Sequence, residues 1–153
     1  MIKQLLFFVL FGLSITSAKA QLGYNNRAAI IEVIQEAYVD GFYNDGYIRA
    51  VELAIANDFT SIGVNTEKQT ETKNVAEYLA DVKKYQAEGK LPLPEEERVT
   101  VKYLKIDISG NAAQVKLQFY QNKKLQHIDF LSLYKFDEGW KILNLMHTPA
   151  EPH

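Results

Sequence analysis

The sequence predicts an α+β domain in which a curved antiparallel sheet wraps around helices on one side. Three observations carry that prediction. Up to Gly89 the chain holds three segments with apolar residues at helical spacing. From Val99 onward the apolar residues instead alternate with the period of two of a pleated strand. The turns between these strands pair apolar with apolar residues, leaving one continuous apolar face that the helices must cover.

The chain begins with a segment of a different kind. Met1–Ala20 carries Lys3, an apolar run from Leu5 to Leu13, and small residues ending Ala18-Lys19-Ala20. That order is the signature of a secretory leader with an Ala-x-Ala cleavage site, and the run is too short to span a bilayer. The expectation is a leader at 1–20, cleavage before Gln21, a single domain at 21–153 and export to the periplasm or the medium, with no stable membrane span after cleavage. Removing 20 of 153 residues leaves 133, enough for one well-cored domain. Lys3 and Lys19 leave with the leader, so 15 of the 17 basic residues remain against 19 acidic ones. A net negative chain without a concentrated basic surface argues against nucleic acid as a partner. There is no cysteine, which excludes disulfides, thiolate metal sites and a cysteine nucleophile.

Helical spacing of Ile30, Ile31, Ile34, Ala37, Tyr38 and Phe42 predicts a first helix over Asn26–Phe42, ended by Asn44-Asp45-Gly46. A shorter helix is expected over Tyr47–Ala56, broken by Asn57-Asp58, with a short strand over Phe59–Val64. Thr66–Lys73 is polar and reads as a loop or a weak strand pair. Asn74 opens a third helix, with Glu77 in the capping-box position and Gly89 as its stop. Lys90–Glu97 is an acidic, proline-containing loop.

In the sheet, a two-residue Gly110-Asn111 turn pairs Ile108 with Ala113, Ile106 with Val115 and Leu104 with Leu117. An even-length turn around Asn122-Lys123-Lys124 is expected to set Phe119 beside Ile128. A three-residue turn at Asp137-Glu138-Gly139 sets Phe136 opposite Trp140, Tyr134 opposite Ile142, Ser132 opposite Asn144 and Phe130 opposite Met146. On the other face it sets Leu133 opposite Leu143, Leu131 opposite Leu145 and Asp129 opposite His147. In that register the helices cover the face of Phe130, Ser132 and Tyr134, and the leucines point outward.

The segments Tyr38-Val-Asp-Gly-Phe-Tyr-Asn-Asp-Gly46, Asp129-Phe-Leu-Ser-Leu-Tyr-Lys and Gly139-Trp-Lys-Ile-Leu-Asn144 resemble a known group. With the order helix, helix, short strand, helix and four-strand meander, they resemble the nuclear transport factor 2-like (SnoaL-like) superfamily, in its putative lumazine-binding branch. The resemblance spans Asn26–His147. It implies a cone-shaped fold, with three N-terminal helices packed in a curved four-to-six-stranded antiparallel sheet. The superfamily includes polyketide cyclases and ketosteroid isomerase as well as pure binders, and no catalytic set of the superfamily transfers cleanly onto this chain.

Gly-rich phosphate loops, His-Glu-x-x-His and Gly-x-Ser-x-Gly are absent. Two constellations remain. The first is a ligand pocket in the cone, formed by Tyr38, Phe130, Ser132, Tyr134, Trp140 and Asn144, in which the hydroxyl and amide await a partner. The preferred simpler account is that Ser132 and Asn144 satisfy each other, a backbone group or a water. The second is Asp129 opposite His147, with His127 on the same side, resembling a carboxylate that orients an imidazole. A metal could use the same set, but none is expected, and a cross-strand ion pair outside the cone is preferred here. A bulge that rotates one strand would reverse that preference. The leucines Leu131, Leu133, Leu143 and Leu145 would form an outward patch suited to a homodimer.

The first functional expectation is therefore an exported, non-enzymatic binder of an apolar or aromatic small molecule, without a cofactor. The second is an isomerase, cyclase or dehydratase in which Tyr38 polarises a carbonyl and Asp129 or His147 moves a proton. What separates them is whether an ionisable group of the sheet lines the cone.

Overall fold

The computed structural model describes residues 25–64 and 67–150. The expected leader lies outside the described residues, as do positions 65–66 and the tail 151–153.

Residues 25–33 are α-helical and run on into a π-wound segment, Ile34–Asn44; together they form α1. The winding ends where Asp40 O accepts from the backbone N–H of Asp45 at 2.8 Å and of Gly46 at 3.1 Å. The side chains of this segment hold the same turn. Gln35 donates to Asp40 Oδ2 at 3.0 Å, and Asn44 donates to Asp40 Oδ1 at 2.9 Å. A π-turn stacks residues five apart, so Tyr43 comes round beside Tyr38, a neighbour that a regular α-helix would carry off to the flank.

Helix α2 (Ile48–Ala54) packs closely on α1, because a Cβ at Gly41 would lie 2.7 Å from Val51 Cγ2. Strand β1 (Ile55–Val64) follows without a break. Asn57-Asp58, expected to stop a helix, instead falls within a register shift of β1 between Ile55 and Thr60. Strand β2 (Thr70–Asn74) then pairs antiparallel with β1. Helix α3 (Val75–Ala87) begins with the expected capping box: Asn74 Oδ1 accepts from Glu77 N at 3.1 Å, and Asn74 N donates to Glu77 Oε2 at 2.7 Å. A 3₁₀ turn (Glu95–Glu97) leads to β3 (Thr100–Ser109), β4 (Ala112–Gln121), β5 (Lys124–Phe136) and β6 (Gly139–Pro149).

The six strands form one sheet in the order β2-β1-β6-β5-β4-β3. All pairs are antiparallel except β1 with β6, where the chain from β1 returns parallel after passing through the rest of the fold. Three helices lie against this curved, mostly antiparallel sheet, the α+β cone that the sequence predicts.

The curvature comes from bulges, and the bulges decide which face is inside. In β3, Leu104 is the extra residue: Ile106 pairs with Val115 as expected, but Tyr103 rather than Leu104 then pairs with Leu117. Between β4 and β5 the turn is even, with Gln121 paired to Lys124, but Gln126 is extra, so Phe119 pairs with His127 and not with Ile128. Between β5 and β6 the turn has two residues, with Phe136 paired to Gly139. Leu143 is extra and restores the expected pairs Ser132–Asn144, Leu131–Leu145 and Asp129–His147.

The slip at Gln126 reverses the expected faces of β5. Leu131, Leu133 and Leu145 are 0%, 2% and 1% exposed and belong to the core with Val115, Leu117, Phe119, Trp140 and Ile142. Tyr134, Phe136 and Met146 are 40%, 43% and 48% exposed on the outer face. The outward leucine patch expected to cover a homodimer therefore does not exist: these side chains meet the helices instead, and half-buried Leu143 sits in the bulge.

Candidate functional site

The same slip carries Asp129 into the cone. Its carboxylate is fully buried. Tyr38 Oη, from the π-wound part of α1, donates to Asp129 Oδ2 at 2.8 Å. His127 Nε2 lies 3.2 Å from the other oxygen, Oδ1. A buried carboxylate held by a phenol and an imidazole is a common feature of functional sites.

Rings wall the site. His127 stacks on Phe119, with centroids 4.3 Å apart. The His147 ring lies 5.5 Å from that of His127. Tyr43 meets Tyr38 edge to face at 5.4 Å and Phe119 at 4.9 Å. Burial, together with Tyr43 and Asp129, pushes the Tyr38 phenol well above its ordinary range, so it remains a hydrogen-bond donor at any ordinary pH. Burial raises Tyr43 in the same way, helped by Tyr78. His147 moves down from 6.5: burial and the neighbouring His127 disfavour its charge, against the pull of Asp129 and Glu71.

Beyond Tyr43 the surface opens into a groove of about 350 Å³, lined by Phe42, Tyr43, Tyr85, Leu91 and Leu93 with Lys90 and Gln121 at its edge. Tyr43 thus has one side toward this groove and the other against the Tyr38–Asp129 pair. The groove presents flat aromatic and apolar side chains, and the ring behind Tyr43 is that of Tyr38, whose hydroxyl is bonded to the Asp129 carboxylate.

The residues expected to form one pocket are dispersed. Tyr38 is inside. Trp140 is buried elsewhere, bordering a surface depression with Ala29, Val33 and Lys135. Asn144 donates to the carbonyl of Thr60 at 2.9 Å across β1 and β6. Ser132 accepts from Gln114 at 2.9 Å on the outer face, so the two polar groups are satisfied separately. Phe130 lies under Lys116 on that face, and Tyr134 packs on Phe136. By contrast, Tyr38, His127, Asp129 and His147 are brought together: the expected place of Asp129 outside the cone is overturned, and an acidic sheet residue inside it admits the enzyme reading beside the binder. Among the described residues no group of three or more His, Asp or Glu has metal-binding geometry. Sequence reasoning missed Tyr43, Tyr85, Leu91 and Leu93 of the groove, and Gly63, over whose Cα the His147 ring lies. Only Gly63 left a signal, a glycine inside an apolar strand, which marks a close approach.

A cone of three helices in a curved sheet is an NTF2-like fold. Solved NTF2-like proteins of unknown function share that fold. One from Shewanella baltica OS155 is 18% identical over 84% of this chain and 97% of its own, with a TM-score of 0.65. One from Silicibacter pomeroyi DSS-3 is 14% identical over 84% and 98%, with a TM-score of 0.65. One from Methylobacillus flagellatus KT is 20% identical over 82% and 93%, with a TM-score of 0.60. At these identities the likeness establishes the fold. Within that class, residues 25–148 match the model of the family described as "Putative lumazine-binding", and the chain belongs to that family. No curated protein matches it.

Proposed function

We propose that this is an exported small-molecule-binding protein that holds an apolar or aromatic ligand in the cone, entered through the groove at Tyr43. The observation that carries the reading is the aromatic groove itself, one wall of which, Tyr43, packs edge to face on Tyr38, the donor to buried Asp129. Flat rings recognise flat rings, and a few polar groups behind them fix orientation. The family's name points to a bicyclic heteroaromatic, which suits the aromatic and apolar lining of such a groove.

Isothermal titration with lumazine and riboflavin as probes tests it. Tyr43→Ala is expected to weaken binding at least about tenfold, or ~1.4 kcal/mol, whereas Tyr134→Ala on the outer face should leave it unchanged. Equal loss in both variants, or no binding of either probe by the wild type, would overturn the reading. Export is tested by fractionating the native host and sequencing the purified N-terminus, with Gln21 expected first.

The buried Asp129 favours a second reading, proton transfer on a bound carbonyl compound, with Tyr38 as hydrogen-bond donor and Asp129 or His147 as proton acceptor. Asp129→Asn would then abolish turnover while leaving ligand affinity within a few-fold; loss of affinity alone would leave only the binder.

A further inference from the structure

We propose that Gly63 is a positioning residue of the Asp129 site: the notch left by its missing side chain seats the His147 imidazole against His127 and Asp129. This deepens the proton-transfer reading, and it rests on that reading for its functional meaning.

The geometry is specific. A Cβ at position 63 would lie 2.2 Å from His147 Nε2, 2.5 Å from Cε1 and 3.1 Å from Cδ2. Three ring atoms therefore occupy the place of one methyl group, and the imidazole lies directly over the glycine. Pairing explains the approach, since Ile62 sits beside Met146 in the parallel β1–β6 ladder, which brings the next residues of both strands, Gly63 and His147, into neighbouring rows. The backbone does not explain the glycine. Gly63 lies in a strand without the left-handed conformation that favours glycine, as Gly46 at φ +72° has it, so what it provides is room.

On its other side the imidazole meets His127, whose Nε2 in turn lies 3.2 Å from Asp129 Oδ1. The titratable groups around it come from every neighbouring element. They are His127 and Asp129 from β5 and Glu71 of β2, which pairs with Gly63 itself, while the phenols of Tyr38 and Tyr43 from α1 act on Asp129. Seated there, His147 is half-buried beside a second imidazole, which is what lowers its affinity for a proton. A neutral imidazole keeps a lone pair free at neutral pH, the form a proton acceptor needs. Any side chain at position 63 would push the ring outward into water and away from both partners.

Histidine-detected NMR titration of the full chain tests this without ligand or turnover, with His147→Gln to assign the signals. In the wild type His147 should titrate below 6.5. In Gly63→Ala its midpoint should rise toward that value. A folded Gly63→Ala protein in which the His147 midpoint is unchanged would overturn the proposal. Should Gly63→Ala not fold, the double variant Gly63→Ala/His147→Ala decides. Stability restored to that of His147→Ala alone upholds the steric pairing, and no restoration overturns it. Failure of the proton-transfer reading, shown by loss of affinity alone in Asp129→Asn, would leave the wild-type and Gly63→Ala His147 midpoints unaffected.

Discussion

Tyr38 and Asp129 meet across the centre of the cone, the phenol of the first helix donating at 2.8 Å to a carboxylate of the fifth strand that no solvent reaches. The pair ties helix layer to sheet. The second carboxylate oxygen lies 3.2 Å from His127 Nε2, in a wall of rings. The Tyr38 bond gives a first prediction. Tyr38→Phe removes the donor to Oδ2 and should cost about 1–3 kcal/mol in urea unfolding, the usual penalty of an orphaned buried acceptor. In an Asp129→Leu background the same change should cost much less, and equal costs in the two backgrounds would show that the hydrogen bond contributes nothing.

His147 predicts a pH dependence at mildly acidic values. Its folded-state pKa lies below 6.5, so between the two values the unfolded chain binds more protons than the folded one. Unfolding free energy should therefore rise with pH through that window and be complete above about 6.5. His147→Gln should flatten this limb. A slope of opposite sign, or one that survives the substitution, would reassign the effect.

The inverted faces of β5 and β6 yield a sharp mutational contrast. Leu131→Ala and Leu145→Ala should each cost about 2–5 kcal/mol as core truncations. Tyr134→Ser and Met146→Lys on the exposed face should stay within about 0.5 kcal/mol. Sedimentation of the leucine variants provides the counter-test: a change of oligomeric state without loss of stability would mean that the leucines face a partner.

Arg98 anchors the end of the π-wound segment. Nη1 and Nη2 donate to the two oxygens of Asp45 at 2.8 and 2.7 Å, and Nη2 lies 3.4 Å from Asp40 Oδ1. The bidentate pair holds the Asp45 carboxyl below its ordinary 3.8, so its contribution is present above that value and lost as pH falls below it. Arg98→Lys cannot reproduce the fork and should cost about 1 kcal/mol, remove this acid limb and speed amide exchange at Asp45 and Gly46. Unaltered exchange there would mean that the backbone alone holds the turn.

Much of this molecule was legible from residue order. The apolar periods gave the helices and strands, Asn74 and Glu77 gave the start of α3, and Gly110-Asn111 gave its hairpin, because each depends on neighbours a few positions away. The motif residues Tyr38–Gly46 and Gly139–Asn144 carried the family. Face assignment was not legible. Whether Phe130 or Asp129 turns toward the helices depends on a single extra residue at Gln126, and β5 is apolar on both faces, so its own pattern suits either side. Only packing chooses: three helices must cover Leu117, Leu131 and Leu145 together, and the register that allows this brings Asp129 in with them. The π-winding that sets Tyr43 beside Tyr38 was likewise beyond local reading, since it is held by Asp40, Asn44 and Arg98, the last of which lies on the far side of α3 in the chain. Sequence determined the elements and their family; tertiary structure decided which side of the sheet is the inside, because a strand's period fixes alternation but not direction.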